Sequence, residues 1–536
     1  MTDKATDRRG AGEVVAGAFR ELGQTLMAFV KAPKALWGIN VPYVIEGLVY
    51  FGILTILGKF CSENIDLTDQ QAGWVYSGVT SGITLSMLFL GGVSDKIGVR
   101  RALWLAFGMF VVGRGMIALS DTLDLGQGPG SPMFFMTVLG LLVMVTAYGL
   151  YQPAAYAGVK RYTNKKTAAM GYAVVYGLMN LGAFFSGFIS PLVRRGFTDV
   201  FPPNGLGAVF WAYVVLCVVA LVVTLLVLTR KTDEEAVARV QAENASIAAK
   251  NREASGEPEP DATQAVTSAV VTPDINNLPF IILLGLSVVG FGLAAYQWVN
   301  QLGAFGIAIG AAIVLSVAAI AEYMRHRPDH PFRDARFTFF IFILIPVQTL
   351  FAHNWLTLPY YLDRAFRGGV VSEYFEFFSN LNPILIFLLA PIVAGLTARA
   401  NIYRMMIIGT LVMALPTFLL ALGPNVPLFL TYVLLMSVGE AMWQPRFLQW
   451  IAEIAPEGKT GMYMGIGQFP WFLTKFVTGL YSGFFVAQYL PDPVLGEPIR
   501  SGQMWFFHAL IAMISPVALI LAAKWMTGGM KERAGD

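Results

Sequence analysis

Gly91-Gly92-Val93-Ser94-Asp95-Lys96-Ile97-Gly98-Val99-Arg100-Arg101 decides how the rest of this chain is read. It stands between two apolar runs, 72–92 and 102–119, each near the roughly 20 residues that cross a bilayer as a helix. Its glycines permit close helix approach and a sharp turn. Asp95 can accept hydrogen bonds at a neighbouring helix N-terminus. Lys96, Arg100 and Arg101 are the kind of charge that holds a short loop on the cytoplasmic side. A hairpin of two membrane helices follows from this stretch alone.

The pattern continues outward in both directions. About fourteen candidate spans meet the length criterion, near 41–60, 72–92, 102–119, 133–157, 169–193, 207–229, 278–298, 303–324, 337–361, 374–396, 404–422, 426–451, 461–489 and 503–525. Of the 536 residues, 56% are hydrophobic and 13% charged, with mean hydropathy +0.60. A soluble domain carries about 25% charged residues, so lipid is the natural solvent for most of this chain. The fold class is all-α and polytopic. A net charge of +3 gives no reason to expect nucleic acid. Cys61 and Cys217 form no metal or disulfide pattern. No cleavable signal peptide is expected, and Val14–Trp37 reads as an interfacial amphipathic helix.

Lys and Arg fix the expected orientation. With the N-terminus in the cytoplasm, the basic loops 95–101, 160–166, 325–336, 399–404 and 453–459 fall inside, and an even span count returns the C-terminus there. Loops 62–71 and 120–131 on the other side hold no Lys or Arg, while Arg194, Arg195, Arg364, Arg367 and Arg500 are exceptions. Residues 230–277 are polar and form a cytoplasmic linker. The expected organisation is an N-terminal segment (1–40), a six-helix bundle (41–229), the linker (230–277), an extra two-helix hairpin (278–324), a second six-helix bundle (325–527) and a short tail (528–536). Tyr151-Gln152-Pro153 and Trp443-Gln444-Pro445 occupy equivalent spans of the two bundles, as expected for an internal repeat with a solute site at its interface.

The opening stretch resembles the loop signature of the major facilitator superfamily, with Gly91, Asp95, Gly98, Arg100 and Arg101 in the signature positions. Within that superfamily the chain resembles the proton-coupled oligopeptide transporters. The resemblance rests on Ser379-Asn-Leu-Asn382-Pro383-Ile-Leu-Ile386, Val175-Tyr176-Gly-Leu-Met-Asn180-Leu-Gly182, Gly439-Glu440 followed by Pro445, and Trp471-Phe-Leu-Thr474. The extra hairpin matches the helix pair that bacterial members insert between their bundles. What the resemblance implies is a major facilitator fold and import of a peptide or peptide-like solute with protons by alternating access. Departures fall where the family is charged. Its first helix carries E-x-x-E-R-F-x-Y-Y-G, where this chain reads Tyr43-Val-Ile-Glu46-Gly47-Leu-Val-Tyr50-Phe51-Gly52. Its fourth helix carries a Lys before Pro, where this chain has Gln152.

Ionisable residues inside a membrane are costly and mark pathways or partners. Glu46 and Glu440 are the candidate proton-coupling groups, since a carboxyl held away from water disfavours its charged form and can load and release a proton. The candidate solute-binding set is Tyr43, Tyr50, Gln152, Tyr176, Asn180, His353, Asn382, Glu440, Trp443, Arg446 and Lys475. In it Glu440 would attract an amine, Arg446 would hold a carboxylate or pair with Glu440, and His353 is read either as titratable or as a neutral hydrogen-bonding residue. Arg114 is read as a structural, pairing residue. No Gly-x-x-x-x-Gly-Lys-Ser/Thr loop supports ATP-driven transport, and no His/Cys cluster suggests a metal. No cofactor is expected, nor an enzymatic activity. The expected partners are a small solute, protons and the lipid of the cell inner or plasma membrane, with the monomer as the working unit. Alternatives are a carrier or exporter of another amphiphilic or amino-acid-derived solute, or a non-transporting receptor on the same fold.

Overall fold

Where water is scarce, each segment must satisfy its own backbone hydrogen bonds, and helices do so without a neighbour. In the computed structural model the described residues form helices, with no strand among them. The structure describes Gly17, Arg20 and residues 33–533, apart from 124, 164–167, 256–277, 300–304, 329, 398–399, 455–462, 464–465, 468 and 494–495. The expected interfacial helix at Val14–Trp37 and the later part of the linker therefore lie largely outside the described residues.

The chain divides into two compact units, Met1–Asn251 with Ile341–Asp536, and Arg252–Phe340. The first half of the larger unit holds α1 (Lys34–Lys59), which runs on into a π-helical turn (Phe60–Asn64), α2 (Asp69–Ile97), α3 (Val99–Thr122), α4 (Pro132–Tyr162), α5 (Ala168–Gly196) and α6 (Leu206–Val227). A polar helix, α7 (Arg230–Ser255), follows. Its Asp233 takes hydrogen bonds from Arg161 Nε (3.0 Å) and the Tyr162 hydroxyl (2.7 Å) at the end of α4. The smaller unit contains the packed pair α8 (Leu278–Val299) and α9 (Phe305–Arg325).

The second half of the larger unit begins at Ile341, within a helix broken twice: α10 (Ala335–Ile343), α11 (Ile345–Leu356) and α12 (Leu358–Ala365). Pro346 and Pro359 sit in the first turns of α11 and α12. Proline has no N–H to continue a preceding helix, so the breaks fall at Leu344 and Thr357. Then come α13 (Val370–Glu373), α14 (Phe375–Ser379), α15 (Leu381–Leu396), α16 (Ile402–Ala414), α17 (Thr417–Leu420), α18 (Val426–Ile454), α19 (Phe469–Tyr489), α20 (Ser501–Leu521) and α21 (Ala523–Arg533). The two halves meet where α2 packs on α19 and α5 packs on α14 and α15.

Eight helices among the described residues are long and apolar enough to cross a membrane. Leu278–Ser287 and Phe375–Ala390 are shorter apolar helices. The other predicted spans also fall on helices, α2, α5, α9 and α19. The apolar residues on the outside of these helices, such as Phe135, Leu226 and Leu521, suit a lipid surround.

Two glycines have backbone reasons. Gly98 has φ of +84° and stands between α2 and α3, so the signature loop is a one-residue break in a left-handed conformation. Gly47 faces α5 so closely that a Cβ there would lie 2.7 Å from the Met179 carbonyl oxygen. The position at which the oligopeptide transporter signature carries Arg thus has no room for a side chain. The missing Arg is a packing solution, in which α1 and α5 approach backbone to backbone.

Candidate functional site

Glu46 lies in α1 and is fully buried, as is Arg114 of α3. The guanidinium grips the carboxylate with both forks, Nη1 to Oε2 at 2.8 Å and Nη2 to Oε1 at 2.5 Å. Arg114 also donates to the Tyr148 hydroxyl (2.9 Å) and to Cys217 Sγ (2.7 Å), and it lies over the Phe110 ring. Tyr148 donates to Glu46 Oε1 in turn. Four helices, α1, α3, α4 and α6, are joined through one charge-neutral knot. The sequence reading gave Glu46 as a candidate proton-coupling group and Arg114 as a structural, pairing residue. The structure makes them each other's partner, and Glu46 holds no open face towards a solute.

The rest of the first bundle's candidate surface is neutral. Gln152 donates from Nε2 to the Tyr43 hydroxyl (2.9 Å) and the Tyr156 hydroxyl (3.1 Å). Tyr43 stacks on Tyr151, and Tyr50 meets Tyr148 edge to face at 5.2 Å. Asn180 is half-buried in α5. The side chains of Tyr176, Gly91 and Asp95 lie outside the described residues. Arg100 rests on the Trp104 ring at 4.8 Å.

The second bundle holds the uncompensated charges. Glu440 of α18 is 2% exposed. It accepts one hydrogen bond, from Asn382 Nδ2 of α15 at 2.9 Å, and meets no cation among the described residues. Asn382 also donates to Ser437 (3.0 Å), one turn before Glu440. Lys475 of α19 is half-buried and has no hydrogen-bond or ion-pair partner among the described residues. One turn before it, Trp471 stacks on Trp443 (6.4 Å, 14°) and meets Phe351 of α11. Phe351 and Trp355 continue this aromatic wall to Phe51 of α1, 4.9 Å from Trp355. Trp443 is fully buried, with its indole N–H directed at Met413 Sδ (3.1 Å).

Two members of the predicted set point elsewhere. Arg446 donates to the Thr397 carbonyl at 2.5 Å and to its hydroxyl at 3.3 Å, after α15. In place of the pairing with Glu440 that its spacing allowed, Arg446 reaches from within α18 to the C-terminal end of α15. His353 is fully buried inside the second bundle, bonded to Thr357 (2.7 Å) and Tyr481 (2.9 Å), with its ring tilted against that of His508.

Sequence reading missed a set of ion pairs that bridge the halves at the end where α1, α5 and α12 terminate. Lys59 pairs with Asp363 across the halves and with Glu63 (2.5 Å) one turn on in its own half. Arg364 holds Asp69 through both nitrogens at 2.7 and 3.1 Å. Arg194 pairs with Glu376 (2.5 Å) and Arg195 with Glu373 (3.4 Å). These arginines include three of the exceptions to the charge bias of the loops, which was the available signal. Beside the pairs lies a cavity of about 940 Å³, lined by Glu63, Asp66, Asp69, Asp363, Arg364 and Arg367 among others. Burial pushes the Asp363 carboxyl up, but the charge and hydrogen bond of Lys59, with help from Ser372 and Arg194, more than offset this and hold it below the usual carboxylate range.

The fold aligns with solved structures of peptide transporters. A structure that addresses substrate recognition in proton-dependent oligopeptide transporters matches with TM-score 0.62 at 17% identity, covering 93% of this chain and 99% of that one. PepTSo, a transporter of that family, matches with TM-score 0.62 at 18% identity, covering 92% and 98%. At sequence level, the riboflavin transporter RibZ of Clostridioides difficile is 29% identical over 163 residues, 30% of this chain and 33% of that protein. The chain thus spans about a third of the length of that curated relative. The family pattern of the Major Facilitator Superfamily matches residues 43–362. With more than half of its length covered by that pattern, and with a transporter fold along nearly all of it, this chain belongs to the Major Facilitator Superfamily.

Proposed function

We propose that this protein is a secondary active transporter, a divergent relative of the proton-coupled oligopeptide transporters. It carries a peptide or peptide-like solute with protons across the cell membrane by alternating access, as a monomer with both termini in the cytoplasm. The observation that carries this reading is Glu440, a buried carboxylate with an amide donor and no cation partner among the described residues. A lone buried charge in a membrane protein is stable only if it is neutralised by a proton or met by a cationic ligand. Glu440 alternates between those states, and Asn382 orients it in both.

Lys475 is the complementary group for a carboxylate, and the aromatic wall Trp443–Trp471–Phe351 accommodates an organic side chain. The ion pairs of Lys59, Arg194 and Arg364 hold the halves together at the outer end of the transporter, with the solute path closed there. Gln152, Tyr43 and Tyr156 supply neutral hydrogen bonds from the first bundle. A second reading, a carrier or exporter of another amphiphilic solute, is favoured by that neutrality, since the family positions for Arg and Lys are occupied by Gly47 and Gln152.

The test is uptake into proteoliposomes under an imposed pH gradient, with dipeptides, amino acids and riboflavin offered in parallel. The expected result is gradient-driven accumulation of a zwitterionic or peptide-like solute, which Glu440→Gln abolishes, with solute binding weakened as well. Accumulation of riboflavin alone moves the chain to the second reading. Binding without accumulation of any solute identifies a receptor.

A further inference from the structure

His508 of α20 is fully buried, and neither of its ring nitrogens has a hydrogen-bond partner among the described residues. Its ring lies 4.0 Å, centroid to centroid, from that of His353, tilted by 36°. The orphaned polar atoms continue around it. Trp505 packs its indole 5.6 Å from His508, and its Nε1–H is unpaired. Tyr361 and Tyr432 both pack on Trp505, at 5.4 and 6.1 Å, and both hydroxyls are buried and unpaired. Five polar atoms of one contiguous cluster would then be dry. The combined desolvation penalty would rival the stability of a whole domain. Ordered water would give these atoms the partners they lack.

His353 completes the arrangement. Its Nδ1 faces the Thr357 hydroxyl at 2.7 Å and its Nε2 the Tyr481 hydroxyl at 2.9 Å. A hydroxyl can donate to a bare ring nitrogen or accept from a protonated one, so His353 can gain a proton without moving a heavy atom. Tyr481, Phe485 and Trp505 pack around the pair, and aromatic faces stabilise a cation. Two charged imidazoles cannot stack at this distance, so the pair holds one proton at most.

We propose that His353 and His508, with Trp505, Tyr361 and Tyr432, form a hydrated site buried inside the second bundle that binds a single proton. The titratable groups that reach it are hydroxyls, Tyr361 from α12, Tyr432 from α18 and Tyr481 from α19. The charges on the packed elements are engaged or remote. Glu46 and Lys59 of α1 and Arg364 of α12 are ion-paired, Glu440 of α18 is bonded to Asn382, and Lys475 lies six residues before Tyr481 on α19. Arg404 of α16 and Lys524 of α21 are exposed. The site also touches the break in the helix. Thr357, the His353 partner, is the residue between α11 and α12, and α12 carries Asp363 and Arg364 of the bridging ion pairs. The site stands whether or not solute uptake is driven by protons, because what is assigned is proton and water binding.

The experiment is nitrogen NMR of the full chain in lipid nanodiscs with labelled histidine, which the chain contains four times. His353→Gln and His508→Gln assign the two buried rings. The expected result is that the two rings take up a single proton between them and change together as pH falls, with water in contact with the His508 nitrogens. His508→Phe should move the His353 midpoint by about one pH unit, a tenfold change in proton affinity. Neutral, unchanging spectra for both rings down to the lowest pH at which the protein stays folded overturn the proposal, as do rings with no water contact. If the His508 variants do not fold, the wild-type titration still decides. The Glu440 reading is tested by uptake and is untouched by either outcome here.

Discussion

Replacing Arg114 with Met tests whether Glu46 is a structural charge or a working one. Met keeps much of the volume and removes the guanidinium. Glu46, fully buried, would lose both forks of its ion pair and keep one hydroxyl, that of Tyr148. Removing one member of a buried pair costs about 3–5 kcal/mol, because the remaining charge is uncompensated. The upper part of that range applies, since Arg114 also bonds Tyr148 and Cys217 and covers Phe110. Replacing the pair together, Arg114→Met with Glu46→Gln, leaves no charge to solvate. Most of the loss should then return, with a coupling energy of roughly 2–4 kcal/mol. Thermal unfolding in one detergent at fixed protein concentration reads the order: wild type highest, the double variant next, the single variant lower than wild type by about 4 °C. If Arg114→Met melts with the wild type, or the double variant melts below the single one, the pair is not what holds α1, α3, α4 and α6 together. A free proton carrier at Glu46 predicts a different signature, in which Glu46→Gln loses pH-driven uptake with no loss of stability.

Asp363→Asn should weaken the bridge to Lys59 by about 1 kcal/mol, the scale of a partly exposed pair. Its pH dependence follows from the lowered pKa of Asp363. A depressed carboxyl contributes stability above its unfolded value, near pH 4, and the contribution is lost as pH falls through the lower folded value. The gap in melting temperature between wild type and Asp363→Asn should therefore be constant above about pH 5 and close below about pH 4, as followed by thermal scans. A gap that widens in acid would refute the assignment. Gly47→Ala should lower stability by about 1–3 kcal/mol, because its Cβ would sit 2.7 Å from the Met179 carbonyl oxygen, and a melting temperature equal to wild type would show that α1 and α5 can separate freely.

How much of this was legible in the sequence depends on the range of the signal. The signature loop 91–101 set the helix hairpin, the span pattern set the all-α membrane fold, and the residue pairs around Asn382 and Glu440 pointed to helices that do come together. These are local patterns of period and composition. What was not legible involves partners far apart in sequence. Arg114 is 68 residues from Glu46, and Arg364 is 295 from Asp69. No spacing rule links such residues. Arg194, Arg195 and Arg364 could be flagged as basic residues on the wrong side, but only the packing of α5 and α12 shows that Glu376, Glu373 and Asp69 wait for them. His508 gave no signal at all, because a single histidine in an apolar run resembles any buried polar residue.

The departures from the oligopeptide transporter signature act as one change. Tyr43, Gly47 and Gln152 stand where the family carries an acid, an Arg and a Lys, and Glu46, the acid that remains, is neutralised by Arg114. The first bundle therefore presents no net charge to a solute from these positions. Glu440 and Lys475 sit on α18 and α19, in the same bundle. In the proposed cycle both ends of a zwitterion are held by that bundle, while Tyr43, Gln152 and Tyr156 offer hydrogen bonds that any polar group can use. Charge at both ends of a solute resists separation of the bundles when each bundle holds one end. Placing both charges on one side removes that resistance. The bundles can part while the solute stays with the second, and the ion pairs of Lys59, Arg194 and Arg364 remain as the contacts whose breaking opens the path.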